Sequence, residues 1–229
     1  MSTQSFTLLE RTTNVHFRNK ELLAQALTHR SAVRESRVHG HNERLEFLGD
    51  AVLELAATEY LYNLSEKPEG ELTNWRSALV QREHLGTVGR ELKLGDYLIL
   101  SRGEEASGGR ERVSLLANAL EALIGAIYLD RGFDEAKGFC HTFILLRLQE
   151  LLRQGKDRDE KSVFQECAQE KYGITPHYET LEAVGPDHEK LFTCAAFIGK
   201  EKIAEGQGNS KQRAEQAAAK EGLKTKGWK

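Results

Sequence analysis

Carboxylates spaced along one stretch of the sequence could bind a divalent cation. In Asn42–Ala51 (NERLEFLGDA), Glu43, Glu46 and Asp50 fall within about 60° of one another on a helix that turns 100° per residue. Lysine or arginine four residues further on, which would offset these charges on an ordinary solvated face, is absent. A solvated acidic surface is the usual explanation of such a face, but the missing counter-charges favour a binding role here.

A second segment carries two more oxygen donors inside an apolar stretch. Asn118 and Glu121 lie three residues apart in Asn118–Ile127 (NALEALIGAI), so both side chains would share one face of a mostly buried helix. If the two helices face each other, Glu46 and Asp50 meet this pair and form an oxygen-lined pocket. Such a pocket suits a hard divalent cation, Mg²⁺ above all, with Mn²⁺ able to substitute.

The other positions of the first helix predict how it packs. Phe47 falls about 40° from Glu43, beside the acidic sector and not on the apolar side. Beside a metal pocket, an aromatic in this place is better explained by insertion into a partner subunit. The positions expected to face the core, on the opposite side of the helix, are Leu45, Leu48, Val52 and Leu55.

Composition and charge narrow the class of protein. The 229 residues are 39% hydrophobic and 29% charged, which is typical of a folded chain. The net charge of −3 does not fit a strongly basic nucleic-acid binder, but residues 1–150 carry 18 basic and 22 acidic side chains (−4), whereas residues 151–229 carry 14 and 13 (+1). Two modules with different partners are therefore expected.

Three absences in the sequence predict a cytoplasmic protein without a membrane partner. No uninterrupted apolar run reaches the roughly 18 to 20 residues that span a bilayer. The first residues show no basic region followed by an apolar one, the pattern of a secretory signal. The three cysteines are too few and too scattered for a disulfide framework or a cysteine zinc site.

Hydrophobic periodicity divides the chain into two modules. Helical spacing dominates from Thr7 to about Glu150, with loops predicted at Ser65–Gly70 and Ser101–Gly109. The polar stretch Gln154–Lys161 is typical of a linker. The predicted domain bounds are 5–152, then a linker at 153–160, then 161–227. The predicted helix N-caps are Asn19, Thr73 and Asp134. The second module is predicted to have the order α-β-β-β-α, from segments Val163–Tyr172, His177–Ala183, Leu191–Ile198, Lys202–Glu205 and Ser210–Lys224.

Taken together, these motifs resemble ribonuclease III, the double-stranded-RNA endonuclease of bacteria. NERLEFLGDA matches the family's signature almost letter for letter, with ALTHRSA before it and LLANALEALIGAIYLD after it. The resemblance covers nearly the whole chain. It implies an all-helical ribonuclease III endonuclease domain that forms a homodimer, followed by a small α-β-β-β-α double-stranded-RNA-binding domain.

The resemblance also implies an activity. The expected reaction is Mg²⁺-assisted hydrolysis of phosphodiester bonds in double-stranded RNA, which leaves 5′-phosphate and 3′-hydroxyl ends with a short 3′ overhang. Two centres in a twofold dimer would each cut one strand. The expected substrates are ribosomal RNA precursors and messenger RNA.

Matching positions assign roles to residues of the first domain. Asp50 and Glu121 correspond to an essential catalytic pair, and Glu43 and Glu69 to two further acidic positions near the site of RNA cleavage. Phe47 corresponds to the aromatic that inserts into a cavity of the other subunit. The residues that the resemblance assigns to the metal are Glu46, Asp50, Asn118 and Glu121.

In the second domain, the expected RNA contacts lie on two helices and one loop. At the start of the last helix, which includes Ser210, the helix N-terminus and the cations Lys211 and Arg213 would converge on phosphates. The resemblance adds minor-groove contacts from the first helix and from the loop between strands. These contacts are Gln165, Glu166 and His188.

One departure from the family pattern leaves alternatives open. Aspartate is frequent in the family where this chain has Asn118, and an amide oxygen still ligates Mg²⁺ but removes one negative charge. Weaker metal binding is expected, and not a dead site. A natural variant is favoured over an engineered, inactivated Asp-to-Asn variant. The alternatives are a catalytically silent double-stranded-RNA-binding regulator and, less favoured, a DNA nuclease. His29 and His84 are expected to serve packing or capping and not ligation.

Overall fold

Two separate hydrophobic cores organise the chain. In the computed structural model they belong to two units, Met1–Asp157 and Arg158–Lys229. The structure describes residues 4–32, 40–155, 160–186 and 190–228. The first unit is helical, and the second contains a three-stranded sheet that one helix precedes and another follows in the chain, which confirms the predicted fold class. The domain bounds remain predictions.

Ten α-helices form the described part of the first unit. Short 3₁₀ turns join some of them, at Arg30–Ala32, Gly109–Glu111 and Leu145–Arg147. The helices are α1 (Gln4–Thr13), α2 (Lys20–Ala26), α3 (Glu43–Leu64), α4 (Glu69–Val80), α5 (Arg82–Glu91), α6 (Leu94–Tyr97), α7 (Arg102–Ala106), α8 (Val113–Arg131), α9 (Phe133–Phe143) and α10 (Leu148–Arg153).

The two longest helices, α3 and α8, pack against each other at glycines. A Cβ atom on Gly49 would lie 1.8 Å from the carbonyl oxygen of Glu121, and one on Gly125 would lie 2.2 Å from the carbonyl oxygen of Leu45. Real Cβ atoms do not approach other atoms so closely, so each position requires glycine. The two glycines therefore bring the two backbones together at the level of the acidic residues.

The buried face of α3 differs from the predicted one. Leu45 and Val52 are buried as expected, but Leu55 is 56% exposed, so its assignment to the core is wrong. The buried side turns instead toward Gly49 and Leu53, because α8 packs there. The carboxylates of α3 consequently lie at the margin of a helix–helix contact and not opposite the core.

Both predicted loops of the first domain are partly helical. Ser65–Gly70 is non-helical only as far as Pro68, because α4 begins at Glu69. Ser101–Gly109 contains α7, and Ser101 caps this helix by accepting a hydrogen bond from a backbone N–H in its first turn at 3.3 Å. Composition alone did not reveal either short helical turn.

The predicted N-caps are right once and wrong twice. The side chain of Asn19 caps α2 by accepting a hydrogen bond from the backbone N–H of Glu21 at 2.9 Å. Thr73 lies inside α4, and Asp134 lies in the first turn of α9 behind the cap residue Gly132. Thus a polar residue ahead of an apolar segment marked the helix start only at Asn19.

Helix α8 is long and apolar enough, by length and composition, to cross a membrane. Core helices of proteins without membrane spans meet the same criteria. Helix α8 lies in the hydrophobic core of the first unit. Leu120, Ile124 and Ile127 are fully buried there. Burial in the protein core therefore accounts for its apolar character.

The second unit is a three-stranded antiparallel sheet with two helices. Helix α11 (Glu160–Tyr172) precedes strands β1 (His177–Val184), β2 (Leu191–Ile198) and β3 (Glu201–Gly208), and helix α12 (Lys211–Thr225) closes the unit. The strand order is β1-β2-β3. A Cβ on Gly206 would lie 2.1 Å from the backbone nitrogen of Ala218 in α12, so glycine lets this helix approach the sheet closely. The core residue Phe164 of α11 is fully buried.

Candidate active site

A cavity of about 640 Å³ collects the acidic residues of α3 and α8. Its wall contains the four residues predicted to bind metal, which lie up to 75 positions apart in the chain. It is also lined by His29 and Arg30, which precede α3. The predicted site residues that the structure brings together here are Glu43, Glu46, Phe47, Asp50, Asn118 and Glu121.

Burial and mutual repulsion raise the pKa of two of these carboxyl groups. Burial, followed by the charges of Asp50 and Glu46, raises the pKa of Glu121 to about 7. Burial also raises the pKa of Glu46, and the charge of Glu43 adds to this effect. Arg82, at the start of α5, acts in the opposite direction on both groups. The cavity therefore holds more negative charge than the chain itself compensates.

Asn118 connects the two helices across this cavity. Its side-chain amide donates a hydrogen bond to Glu46, which partly offsets the rise in the pKa of Glu46. The amide oxygen then remains as a neutral donor to a cation, beside carboxylate oxygens. Asn118 on α8 is thus linked to the Glu46 carboxylate on α3, and its amide oxygen is of a type that can ligate a cation.

The donor set fits a hard divalent cation. Three carboxylates and one amide oxygen are ligand types that Mg²⁺ accepts, and a cation would relieve the repulsion that raises the pKa of Glu121. Among the described residues, no three His, Cys, Asp or Glu side chains converge closely enough to hold a metal ion as they stand. The chemistry of the site therefore fits Mg²⁺ binding, whereas the side chains would still have to close around the ion.

Glu43 differs from the other carboxylates because Arg30 and His41 lie beside it. Arg30 Nη1 lies 3.4 Å from Glu43 Oε1, and His41 Nδ1 lies 3.6 Å from Glu43 Oε2. The Glu43 side chain is also about half exposed. It therefore stands at the solvent-exposed rim of the cavity.

Glu69 is not part of this cavity. It lines a second cavity of about 430 Å³ at the other end of α3, together with Tyr62 and Leu72. Within one chain it does not join the acidic group around Asp50. Its role near the cleavage site stays a prediction.

Phe47 stands out from the surface as predicted. Its side chain is 82% exposed at the edge of the acidic cavity. Tyr62 is 77% exposed and Leu55 is 56% exposed further along α3. A rotation of 100° per residue places Phe47, Leu55 and Tyr62 on one side of α3. Together they form an apolar stripe, here called the α3 stripe.

The second unit presents its predicted RNA contacts at helix ends and on an open face. Ser210 caps α12, since its hydroxyl accepts a hydrogen bond from the backbone N–H of Arg213 at 3.2 Å. Lys211 and Arg213 are exposed in the first turn, where the positive end of the helix dipole adds to their charge. Gln165 and Glu166 are exposed on α11, whereas His188 lies outside the described residues.

Comparison with known proteins decides the family. The model described as Ribonuclease-III-like matches residues 19–148, and the one described as Double-stranded RNA binding motif matches residues 160–226. The chain belongs to the ribonuclease III family. Its ribonuclease III fold is followed by a double-stranded-RNA-binding domain, so both predicted modules are confirmed.

Curated relatives and a solved structure agree with this family. Ribonuclease 3 of Pelotomaculum thermopropionicum is 44% identical over 95% of this chain and 91% of its own length. Ribonuclease 3 of Syntrophotalea carbinolica is 42% identical over 97% of both chains. The nuclease domain of ribonuclease III from Campylobacter jejuni is 44% identical with a TM-score of 0.54, and covers 62% of this chain and 94% of that domain. That structure is described as showing flexibility in a region involved in dimer formation.

The family defines the enzyme class of the chain. As a ribonuclease III, it is an endoribonuclease, and its second domain is of the kind that binds double-stranded RNA. The predicted enzyme class and RNA partner are thereby confirmed. The sequence-based assignment missed Arg82, whose charge acts on Glu46 and Glu121 and whose position follows only from tertiary packing. It also gave no site role to His29, which lines the cavity and sits in the matching motif ALTHRSA.

Proposed function

We propose that this ribonuclease III cleaves double-stranded RNA in the cavity between α3 and α8, with Mg²⁺ or Mn²⁺ held by its four oxygen-donor residues. The observation that carries the proposal is the convergence of four oxygen-donor side chains on one cavity, where burial and the neighbouring carboxylates raise the pKa of Glu121 to about 7. A divalent cation bound there would lower the pKa of water and stabilise negative charge at the reacting phosphate. The proposed metal-binding residues are Glu46, Asp50, Asn118 and Glu121.

The chain's own groups divide the work around that cation. Asp50 is exposed on α3 and Glu121 is half-buried on α8, so the two carboxylates face the cavity from different helices. Asn118 orients Glu46 by donating a hydrogen bond to it. Glu43, beside Arg30 and His41, lies where the RNA backbone would enter.

The proposed products are 5′-phosphate and 3′-hydroxyl ends with a short 3′ overhang. The proposed substrates are ribosomal RNA precursors and messenger RNA in the cytoplasm. A staggered cut requires two centres at a fixed separation, which a twofold dimer supplies. The dimer is therefore part of the proposed reaction and not an accessory to it.

We further propose that the α3 stripe forms the dimer interface. A twofold axis near Leu55 would place position 47 of one copy opposite position 62 of the other, so that Phe47 meets Tyr62 of its partner. The cavity that Tyr62 lines also contains Glu69. Pairing of this kind would carry Glu69 of one copy toward the acidic cavity of the other, which explains why one chain does not bring these residues together.

Cleavage of a long RNA duplex tests the assignment of the site. With Mg²⁺ present, the wild-type chain should cut both strands, whereas Glu121→Gln should lose cutting by several orders of magnitude and still bind the duplex. Glu21→Gln, which alters an exposed carboxylate on α2, is the matched control and should cut normally. If the wild-type chain bound duplex RNA without cutting it at any Mg²⁺ concentration, the silent regulator would be the correct alternative. Competition by duplex DNA would separate the RNA enzyme from a DNA nuclease.

Light scattering after size exclusion tests the interface. Phe47→Ala should shift the chain from dimer toward monomer and reduce paired cuts. Leu146→Ala removes a leucine that is 58% exposed outside the α3 stripe, and it should leave the dimer intact. A dimer that withstands Phe47→Ala at micromolar concentration would contradict the proposed pairing.

A further inference from the structure

His29 is held firmly in the wall of the acidic cavity. Its backbone N–H donates a hydrogen bond to the carbonyl oxygen of Ile99 at 3.0 Å, and the N–H of Ile99 donates to Leu27 at 2.8 Å. Thr28 and Ile99 thereby form a parallel bridge. Because the backbone is fixed on both sides, the His29 side chain has a defined place beside the carboxylates.

Hydrogen bonds from Ser31 determine which nitrogen of His29 carries the proton. The backbone N–H of Ser31 donates to His29 Nδ1 at 3.3 Å, and a backbone N–H can donate a hydrogen bond but not accept one. The Ser31 hydroxyl accepts from the N–H of Ser101 at 3.1 Å, and lies 2.9 Å from His29 Nδ1. Because Nδ1 already accepts from the backbone N–H of Ser31, it carries no hydrogen, and the Ser31 hydroxyl must donate its own hydrogen to Nδ1. A ring nitrogen that accepts two hydrogen bonds is unprotonated, so the neutral ring carries its hydrogen on Nε2.

The other nitrogen of the ring is available for an external acceptor. In the part of the chain that the structure describes, no residue accepts a hydrogen bond from His29 Nε2, and this atom is not among the buried side-chain atoms without a partner. Burial lowers the pKa of His29; nearby Glu104 and Glu43 oppose this change, while Arg30 and Arg112 add to it. The ring is thus neutral near pH 7, with an N–H that solvent can reach.

We propose that His29 positions the RNA strand by donating its Nε2–H to a phosphate oxygen next to the cleavage site. This inference rests on the proposed function. Phosphate oxygens accept hydrogen bonds and therefore need a donor. The ionised carboxylates of the cavity cannot supply one, because they also only accept. Arg30, the neighbouring donor, already pairs with Glu43. His29 supplies a fixed donor that adds no positive charge to compete with a cation for the carboxylates.

Four variants test the role of His29 in steady-state cleavage of a defined RNA duplex. His29→Ala should lower kcat/KM by roughly 10- to 100-fold, the range for loss of a hydrogen bond to a charged group. His29→Gln, whose side-chain amide offers N–H near the position of Nε2, should recover most of this loss. Ser31→Ala leaves the ring but frees its orientation, so it should give a smaller loss. His16→Ala removes an exposed histidine of the same unit and should behave as wild type.

A spectroscopic measurement separates this role from a purely structural one. Long-range ¹H–¹⁵N spectra of the ring should show the Nε2–H form in the free wild-type chain. Addition of a short RNA duplex should move the His29 Nε2 resonance, while the His16 signals stay in place. The shift needs no turnover, so it remains informative for variants that cut slowly.

The possible results distinguish two failures. If the wild-type chain does not cut duplex RNA, the proposed function fails and this inference fails with it. If the wild-type chain cuts, but His29→Ala and His29→Gln both cut at the wild-type rate, only the role of His29 is wrong. Equal losses in both variants, with no movement of the Nε2 resonance on RNA addition, would show that His29 only maintains the local fold.

Discussion

Replacement of Glu121 by glutamine should stabilise the metal-free protein at alkaline pH. The pKa of Glu121 is raised from 4.5 to about 7 in the folded chain. The folded state therefore binds more protons than the unfolded state between these two values, and stability falls as the pH rises through this window. At 1.36 kcal/mol per pH unit the full effect is about 3 kcal/mol, and we halve it to about 1.5 kcal/mol because Glu121 is only partly buried.

Thermal unfolding in EDTA measures this effect. At pH 8, Glu121→Gln should raise the Tm of the nuclease unit by about 3 to 6 °C, since 1 kcal/mol corresponds to about 2 to 4 °C for a domain of this size. Near pH 5 the difference should largely vanish, because Glu121 is then protonated in the folded wild type. The exposed Glu21→Gln variant should show no such dependence. An equal difference at both pH values, or a less stable Glu121→Gln at pH 8, would refute the reasoning.

Three further predictions concern packing, RNA binding and metal binding. Gly49→Ala should destabilise the nuclease unit by about 3 kcal/mol in denaturant unfolding, because its Cβ would meet a carbonyl oxygen at 1.8 Å; Gly138→Ala, in open space on α9, should be neutral or slightly stabilising. Lys211→Ala should weaken binding to duplexes of any sequence and reduce the slope of log affinity against log salt concentration by about 1. Lys224→Ala, at the other end of α12 and paired with a glutamate, is the control. It should change neither quantity when binding is titrated at several salt concentrations. Asn118→Asp should tighten Mg²⁺ binding in calorimetry but lower the Tm in EDTA at pH 8, because it adds charge and removes the hydrogen bond to a glutamate; an unchanged Mg²⁺ affinity would contradict the assignment.

Local patterns predicted the elements of this protein better than the contacts between them. The strands and the last helix of the second unit lie close to their predicted positions, since alternation and alanine-rich helical spacing are local signals. The orientation of α3 is not local. Leu55 was expected in the core because it shares a side with Leu45 and Val52, but the partner helix packs over Gly49. Because glycine has no side chain, hydrophobic periodicity does not predict a helix contact at that position.

The candidate site was predictable to the extent that its residues share a helix face. The spacing of Glu46 and Asp50, and of Asn118 and Glu121, already indicated two oxygen-bearing faces. Their meeting depends on the contact between α3 and α8, which no periodicity specifies. His29 was assigned to packing because a lone histidine carries no pattern of its own. Its tautomer depends on Ser31 and Ser101, and Ser101 is 70 positions from Ser31.

The close contact of α3 and α8 couples the stability of the fold to its chemistry. Gly49 and Gly125 draw the backbones together and thereby force Glu46 and Glu121 into a partly buried, repulsive arrangement. Larger residues at these glycines would separate the helices, relieve the repulsion and disperse the oxygen donors. The nuclease unit thus retains a destabilising charge cluster where a cation can stabilise it, which is the expected trade-off between stability and activity. It follows that Mg²⁺ should raise the stability of the wild type more than that of Glu121→Gln, by binding only the folded state.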